Sequence, residues 1–141
     1  MQHNIIHISL LVNDYDEALE FYLGKLGFEL LEDTPLDDHG KRWVVIAPKH
    51  SQGVTLVLAR ASDSQQQAQI GNQCAGRVML FLSSDDVQRD YEQWTSAGVT
   101  FVQPPVVLPH GTVAIFEDLY GNRWDLIQMS ERHSLKSRFS E

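Results

Sequence analysis

A single cysteine, Cys74, stands in 141 residues, so no disulfide can form within the chain. That suits a reducing compartment. A lone thiol with no base paired to it reads as a small buried or loop residue rather than a nucleophile. No apolar run approaches the roughly 20 residues that a membrane helix needs. The stretch Met1 to His7 has no basic segment leading into an apolar one, so neither a membrane span nor a signal peptide is expected. The expected location is the cytoplasm. Positive charge is scarce: 11 Lys and Arg face 19 Asp and Glu, a formal net charge of −8. The cations are scattered until Arg132–Arg138, where Glu131 and Glu141 dilute them. Such a field repels polyanions, and no basic stripe counters it, so no nucleic-acid partner is expected. Five Pro and nine Gly exclude a low-complexity or collagen-like chain. Also missing are a Gly-rich phosphate loop, a Gly-x-Ser-x-Gly elbow, a paired-Cys motif and His-Glu-x-x-His. Their absence weighs against nucleotide hydrolysis, esterase and zinc-protease chemistry.

What is there is a single-domain length with 43% hydrophobic residues, enough to bury a core. Ile5 to Val12 is a short run rich in β-branched residues and reads as a buried strand. Asp14 followed by Glu17 has capping-box spacing, and Leu19, Tyr22, Leu23 and Leu26 recur at helical spacing behind it. Gly27 ends that helix. Phe28–Thr34, Trp43–Ala47 and Val54–Ala59 read as three strands, which completes β-α-β-β-β. Residues 61–76 are polar and form the linker, with a short helix as the alternative because Gln and Ala favour one. The pattern then repeats. Arg77–Leu82 is a strand, Ser84-Asp85-Asp86 a cap, and Val87, Tyr91 and Trp94 lie on one helical face. Gly98 terminates the helix, and strands follow at Val99–Val102, Val113–Glu117 and Arg123–Met129. The distance from Asp14 to Gly27 equals that from Asp85 to Gly98, which points to an internal duplication. The expected layout is module one at 3–60, the linker at 61–76, module two at 77–130 and a polar, frayed tail at 131–141. The fold class is α+β.

HISLLVNDYDEALEFYLGKLGFEL resembles the opening of the vicinal-oxygen-chelate superfamily, and GTVAIFEDLYGNRWDLIQ resembles its closing strand pair. With the repeat between them, the resemblance spans about residues 3–130. Leu119 and Tyr120 depart from the usual Pro and Asp of the closing turn. The resemblance implies two tandem βαβββ modules forming a curled mixed-sheet cup with the helices outside, a small-molecule ligand and a homodimer. It also implies a divalent metal (Zn, Ni, Fe or Mn) held by the first and last strands of each module, acting as a Lewis acid on vicinal oxygens of a substrate.

Taken position by position, the ligand set is incomplete. His7 and Asp125 fall on ligand positions, the latter where the family usually has Glu. Val54–Leu58 offers no carboxylate, and Arg77-Val-Met-Leu offers no His. Two protein ligands rarely hold such a metal, unless His39, His50 or His110 enters from a loop. Arg77 in a ligand's place would meet a carboxylate, either Asp125 or the ligand's own. Arg123 and Arg42 are further candidates for an anion site, although each also reads as solvated surface. Glu117 is a candidate acid or base, and Trp43 and Tyr120 are candidates for stacking on a ligand. Tyr22, Trp94 and Trp124 read as core packing. The expectation is a metal-poor cup that binds, and in one version transforms, a small polar or anionic organic molecule. The alternatives are a metal-dependent lyase or dioxygenase of the glyoxalase type, and a drug-sequestering resistance protein.

Overall fold

The computed structural model of the protein describes residues 1–138; residues 139–141, the end of the polar tail, lie outside the described residues. The fold is α+β, built as two tandem βαβββ modules. Module one comprises β1 (His7–Val12), α1 (Tyr15–Tyr22), β2 (Glu29–Pro35), β3 (Arg42–Ala47) and β4 (Thr55–Arg60). Module two comprises β5 (Val78–Ser83), α3 (Val87–Ser96), β6 (Thr100–Leu108), β7 (Gly111–Glu117) and β8 (Arg123–Met129), and α2 (Ser64–Gln69) lies between them. Each module forms its own four-stranded sheet. The orders are β1-β4-β3-β2 and β5-β8-β7-β6. In both, the first strand runs parallel to the last, and the other pairs are antiparallel. The repeated topology carries the duplication that few identical side chains betray. The chain divides into two compact units, Met1–Gln73 and the part from Cys74 onward.

Both helices start where an aspartate can satisfy free backbone amides. Asp14 accepts from the Glu17 amide at 2.9 Å, and Asp86 accepts from the Arg89 amide at 3.0 Å. Each helix covers one face of its own sheet. The strands alternate accordingly. Leu10, Val12, Val44, Ile46, Leu56 and Leu58 are buried beneath the helix in module one. In module two Phe116 stacks on Trp124 (5.8 Å between centroids) and meets Trp94 edge-on at 5.2 Å. The opposite face of each sheet is left open by its own module.

Several boundaries differ from the sequence reading. β1 begins at His7, not Ile5, because β4 begins at Thr55 and offers no strand for Ile5 and Ile6, which are exposed. The buried side of α1 is Tyr15, Ala18, Phe21 and Tyr22; of the expected Leu19, Tyr22, Leu23 and Leu26, Tyr22 and Leu26 are buried while Leu19 and Leu23 are half-buried. The linker does contain a helix, α2, capped by Asp63. β6 runs to Leu108, straight through Pro104-Pro105. It is tolerated there because β6 is an edge strand and its register shifts between Gln103 and Val106, so neither proline owes the sheet a donor.

Candidate functional site

The open face of module one carries His7 from β1, Thr55 from β4 and Trp43 from β3. His7 and Thr55 are register partners across the parallel pair. Their side chains meet, with His7 Nδ1 2.6 Å from Thr55 Oγ1. The Thr55 hydroxyl donates to the Ile6 carbonyl at 3.0 Å. A hydroxyl has one proton. Thr55 Oγ1 thus lies within hydrogen-bond reach of both the Ile6 carbonyl and His7 Nδ1, and its one proton serves one of them at a time. The ring lies edge-on to Trp43 at 5.5 Å between centroids, while His7 itself remains exposed.

In module two Asp125 lies on the corresponding face of β8, flanked in register by Phe81 of β5 and Ile115 of β7. Phe81 is 71% exposed, far more than a phenyl ring retains when its own module packs against it. Asp125 Oδ1 is buried and has no hydrogen-bond partner among the described residues. Burial pushes the Asp125 carboxyl above the usual carboxylate range, and the charge of His110 offsets this only in part. Glu117 and Arg123 are register partners on the same face, 3.7 Å apart from Glu117 Oε2 to Arg123 Nε. Tyr120 sits in the β7–β8 turn. There Asp118 accepts from the Tyr120 and Asn122 amides and from the Asn122 side chain, each at 2.9 Å.

Two of the arginines are already engaged. Arg123 faces Glu117. Arg42 holds Asp33 through two hydrogen bonds, at 3.0 and 2.7 Å, and reaches Asp16 at 3.0 Å. Arg77 lies outside β5, exposed in the turn closed by its amide to the Cys74 carbonyl. The strand expected to start at Arg77 starts at Val78, so alternation along β5 does not set the direction of the Arg77 side chain. Sequence reasoning passed over Thr55 and Phe81 as site residues. Their signal is the strand register, which joins them to His7 and Asp125 and cannot be read from spacing alone.

The donor set does not fit a resident divalent metal. In module one the position that Asp125 takes in module two belongs to Val57, between Ser9 and Val45. On β5 the open-face neighbour of Asp125 is Phe81. Among the described residues no three His, Cys, Asp or Glu side chains gather into a group able to hold a metal ion. What the open faces hold is His7 beside Trp43 in module one and Asp125 beside Phe81 in module two.

The model of the Glyoxalase/Bleomycin resistance protein/Dioxygenase superfamily matches residues 4–126. The chain is 53% identical to an uncharacterized protein of Shewanella frigidimarina over 96% of this chain and 100% of that one. Among solved structures it is similar to UcmS2, at 34% identity and TM-score 0.78, with 90% of this chain and 98% of that one covered. It is also similar to TnmS3, an antibiotic binding protein from Streptomyces sp. CB03234, at 33% identity and TM-score 0.74, with 92% and 98% covered. The chain belongs to the Glyoxalase/Bleomycin resistance protein/Dioxygenase superfamily.

Proposed function

We propose that this protein binds and sequesters a small, partly aromatic organic molecule on its open sheet faces, without metal-centred catalysis. The observation that carries the reading is the pairing on each face of a polar side chain with an aromatic ring, His7 with Trp43 and Asp125 with Phe81, where no three His, Cys, Asp or Glu side chains gather among the described residues. The likeness to an antibiotic binding protein supports the same reading. Trp43 and Phe81 supply apolar contact, and the polar side chains beside them supply orientation. Tyr120 and Arg77 lie in turns, where they would contribute at the rim. Glu117 and Arg123 neutralise one another, which weighs against a strongly anionic ligand. The proposed assembly is a homodimer, checked by a light-scattering mass twice that of the chain.

The competing chemistry is a metal-dependent glyoxalase-type lyase or dioxygenase with His7 and Asp125 as ligands and Glu117 as base. Elemental analysis of purified protein, together with hemithioacetal isomerisation in added Ni, Zn, Fe or Mn, separates the two. The expected result is substoichiometric metal and no turnover. Stoichiometric metal that disappears in His7→Ala would falsify the binding-protein reading.

A further inference from the structure

After β8 the chain turns back on module two, and two hydrogen bonds fix the start of that turn. The Ser130 amide donates to the His110 carbonyl and the Ser130 hydroxyl to the Pro109 carbonyl, both at 2.9 Å, so the tail leaves β8 against the β6–β7 turn. Of residues 131–138 only His133 and Lys136 are half-buried, and the others are exposed. These two hold the segment down. Lys136 Nζ donates to the Met129 carbonyl at 3.1 Å, and the His133 ring lies beside that of His110, with 6.1 Å between centroids.

His133 also shapes the tail from within. The Leu135 amide donates to His133 Nδ1 at 3.0 Å. A backbone N–H can only donate, so the direction of this bond is fixed: Nδ1 carries the lone pair, and the neutral ring keeps its proton on Nε2. The bond spans two residues, the arrangement that an Asn or Asp oxygen makes in an Asx turn. Beyond it the Lys136 amide donates to the His133 carbonyl at 3.1 Å and the Arg138 amide to the Leu135 carbonyl at 3.0 Å. An imidazolium has no acceptor. Once His133 takes up a second proton, Nδ1–H and the Leu135 N–H face each other and the bond is lost. The surrounding charges do not offset this. His110 repels when it is itself charged, and Lys136 adds a cation. The nearby carboxylate, Glu131, already faces Lys136 at 3.8 Å. Asp125 on β8 interacts with the charge of His110 rather than with His133.

We propose that His133 is a proton-operated catch: taking up a proton releases residues 131–138 from the β6–β7 turn of module two. The device is independent of what the open faces bind. Imidazole side chains change charge between about pH 5 and 8, so the tail is held at the upper end of that window and let go at the lower.

Heteronuclear ¹H–¹⁵N NOE values of the tail amides at about pH 8 and about pH 5, with the His133 ring resonances followed between them, test this. In the wild type, residues 133–137 are expected to match β8 at the upper pH and to drop toward free-chain values at the lower, with the midpoint of the His133 ring itself. His133→Asn supplies an acceptor that does not titrate and is expected to keep the tail ordered at both pH values. His133→Phe keeps a ring without an acceptor, and its tail should be loose at both. The β7 and β8 resonances report that each variant is folded. A wild-type tail equally ordered at both pH values, or already loose at the upper one, overturns the proposal. So does a His133→Phe tail that stays ordered, or a His133→Asn tail that loosens on acidification as the wild type does, since the trigger is then another group.

Discussion

Asp125 is a carboxylate whose surroundings disfavour its charge. Burial raises its pKa in the folded chain, so the native state holds this proton more tightly than the unfolded chain does. The linkage sign follows. As pH rises from the ordinary carboxylate value through the raised one, the unfolded state releases a proton that the native state still holds, and stability falls. Asp125→Asn, a neutral isostere, is therefore expected to melt at a higher temperature than wild type at neutral pH. That advantage should shrink as pH falls through the raised value toward the usual carboxylate range. Calorimetric scans of both proteins between about pH 3 and 8 check it; an advantage that does not change with pH would mean that the charge is not the cause. At the same scale Asp118 is the opposite case, with Asp118 and Asn122 buried and each satisfied by the other. Asp118→Ala should cost about 1–3 kcal/mol in urea unfolding, since it strands the Asn122 amide groups.

At the scale of elements, β1 is an edge strand, and edges need protection. The linker supplies it. The Gln73 side-chain amide accepts from the Leu11 N–H and donates to the Ser9 carbonyl, both at 2.9 Å, the two bonds that a neighbouring strand would make. Gln73→Ala should raise the hydrogen-exchange rate of the Leu11 amide while leaving that of Leu10, which faces β4, nearly unchanged. β7 meets β8 with similarly little slack. A Cβ on Gly111, at φ +152°, would stand 2.3 Å from the Gln128 carbonyl oxygen, in backbone that cannot swing aside. Gly111→Ala is expected to destabilise by about 1–3 kcal/mol, in the range of overpacked sites, measured by chemical denaturation. α1 is tied down by Arg42, which reaches Asp16 on the helix and Asp33 on β2 while its guanidinium lies 5.0 Å from the Tyr15 ring centroid. The hydrogen bond from Arg42 keeps Asp33 below the usual carboxylate range, so this contribution is present at neutral pH and is lost as pH falls through the lowered value.

For the molecule as a whole, two modules of one topology have diverged most at the residues that face outward from their sheets. The helix-covered faces keep the same plan, Leu10 and Leu58 in one module against Leu82 and Leu126 in the other. The open faces do not: Val57 in module one corresponds to Asp125 in module two. The core must satisfy packing in both copies, whereas the open face answers to whatever it binds. No helix among the described residues is long and apolar enough to cross a membrane. In the metal assay proposed above, the whole molecule is expected to behave as a binder.

The α+β class, the βαβββ order and its duplication, both aspartate caps and the glycine that follows α3, Gly98, were legible in the sequence, whereas α1 ends at Tyr22, before the expected Gly27. Each depends on contacts between neighbours in the chain, and hydrophobic period and capping chemistry report those directly. His7 and Asp125 stood out only through the ligand positions that the family resemblance implies, and Trp43 as an aromatic ring on a strand. The tertiary structure alone decided which residues stand beside them. Thr55 reaches His7 across 48 positions of sequence, and Phe81 reaches Asp125 only because β5 pairs with β8 in one register. Register is set by how whole strands bury their helix-covered faces, so no local pattern shows that Thr55 stands against His7 or Phe81 against Asp125.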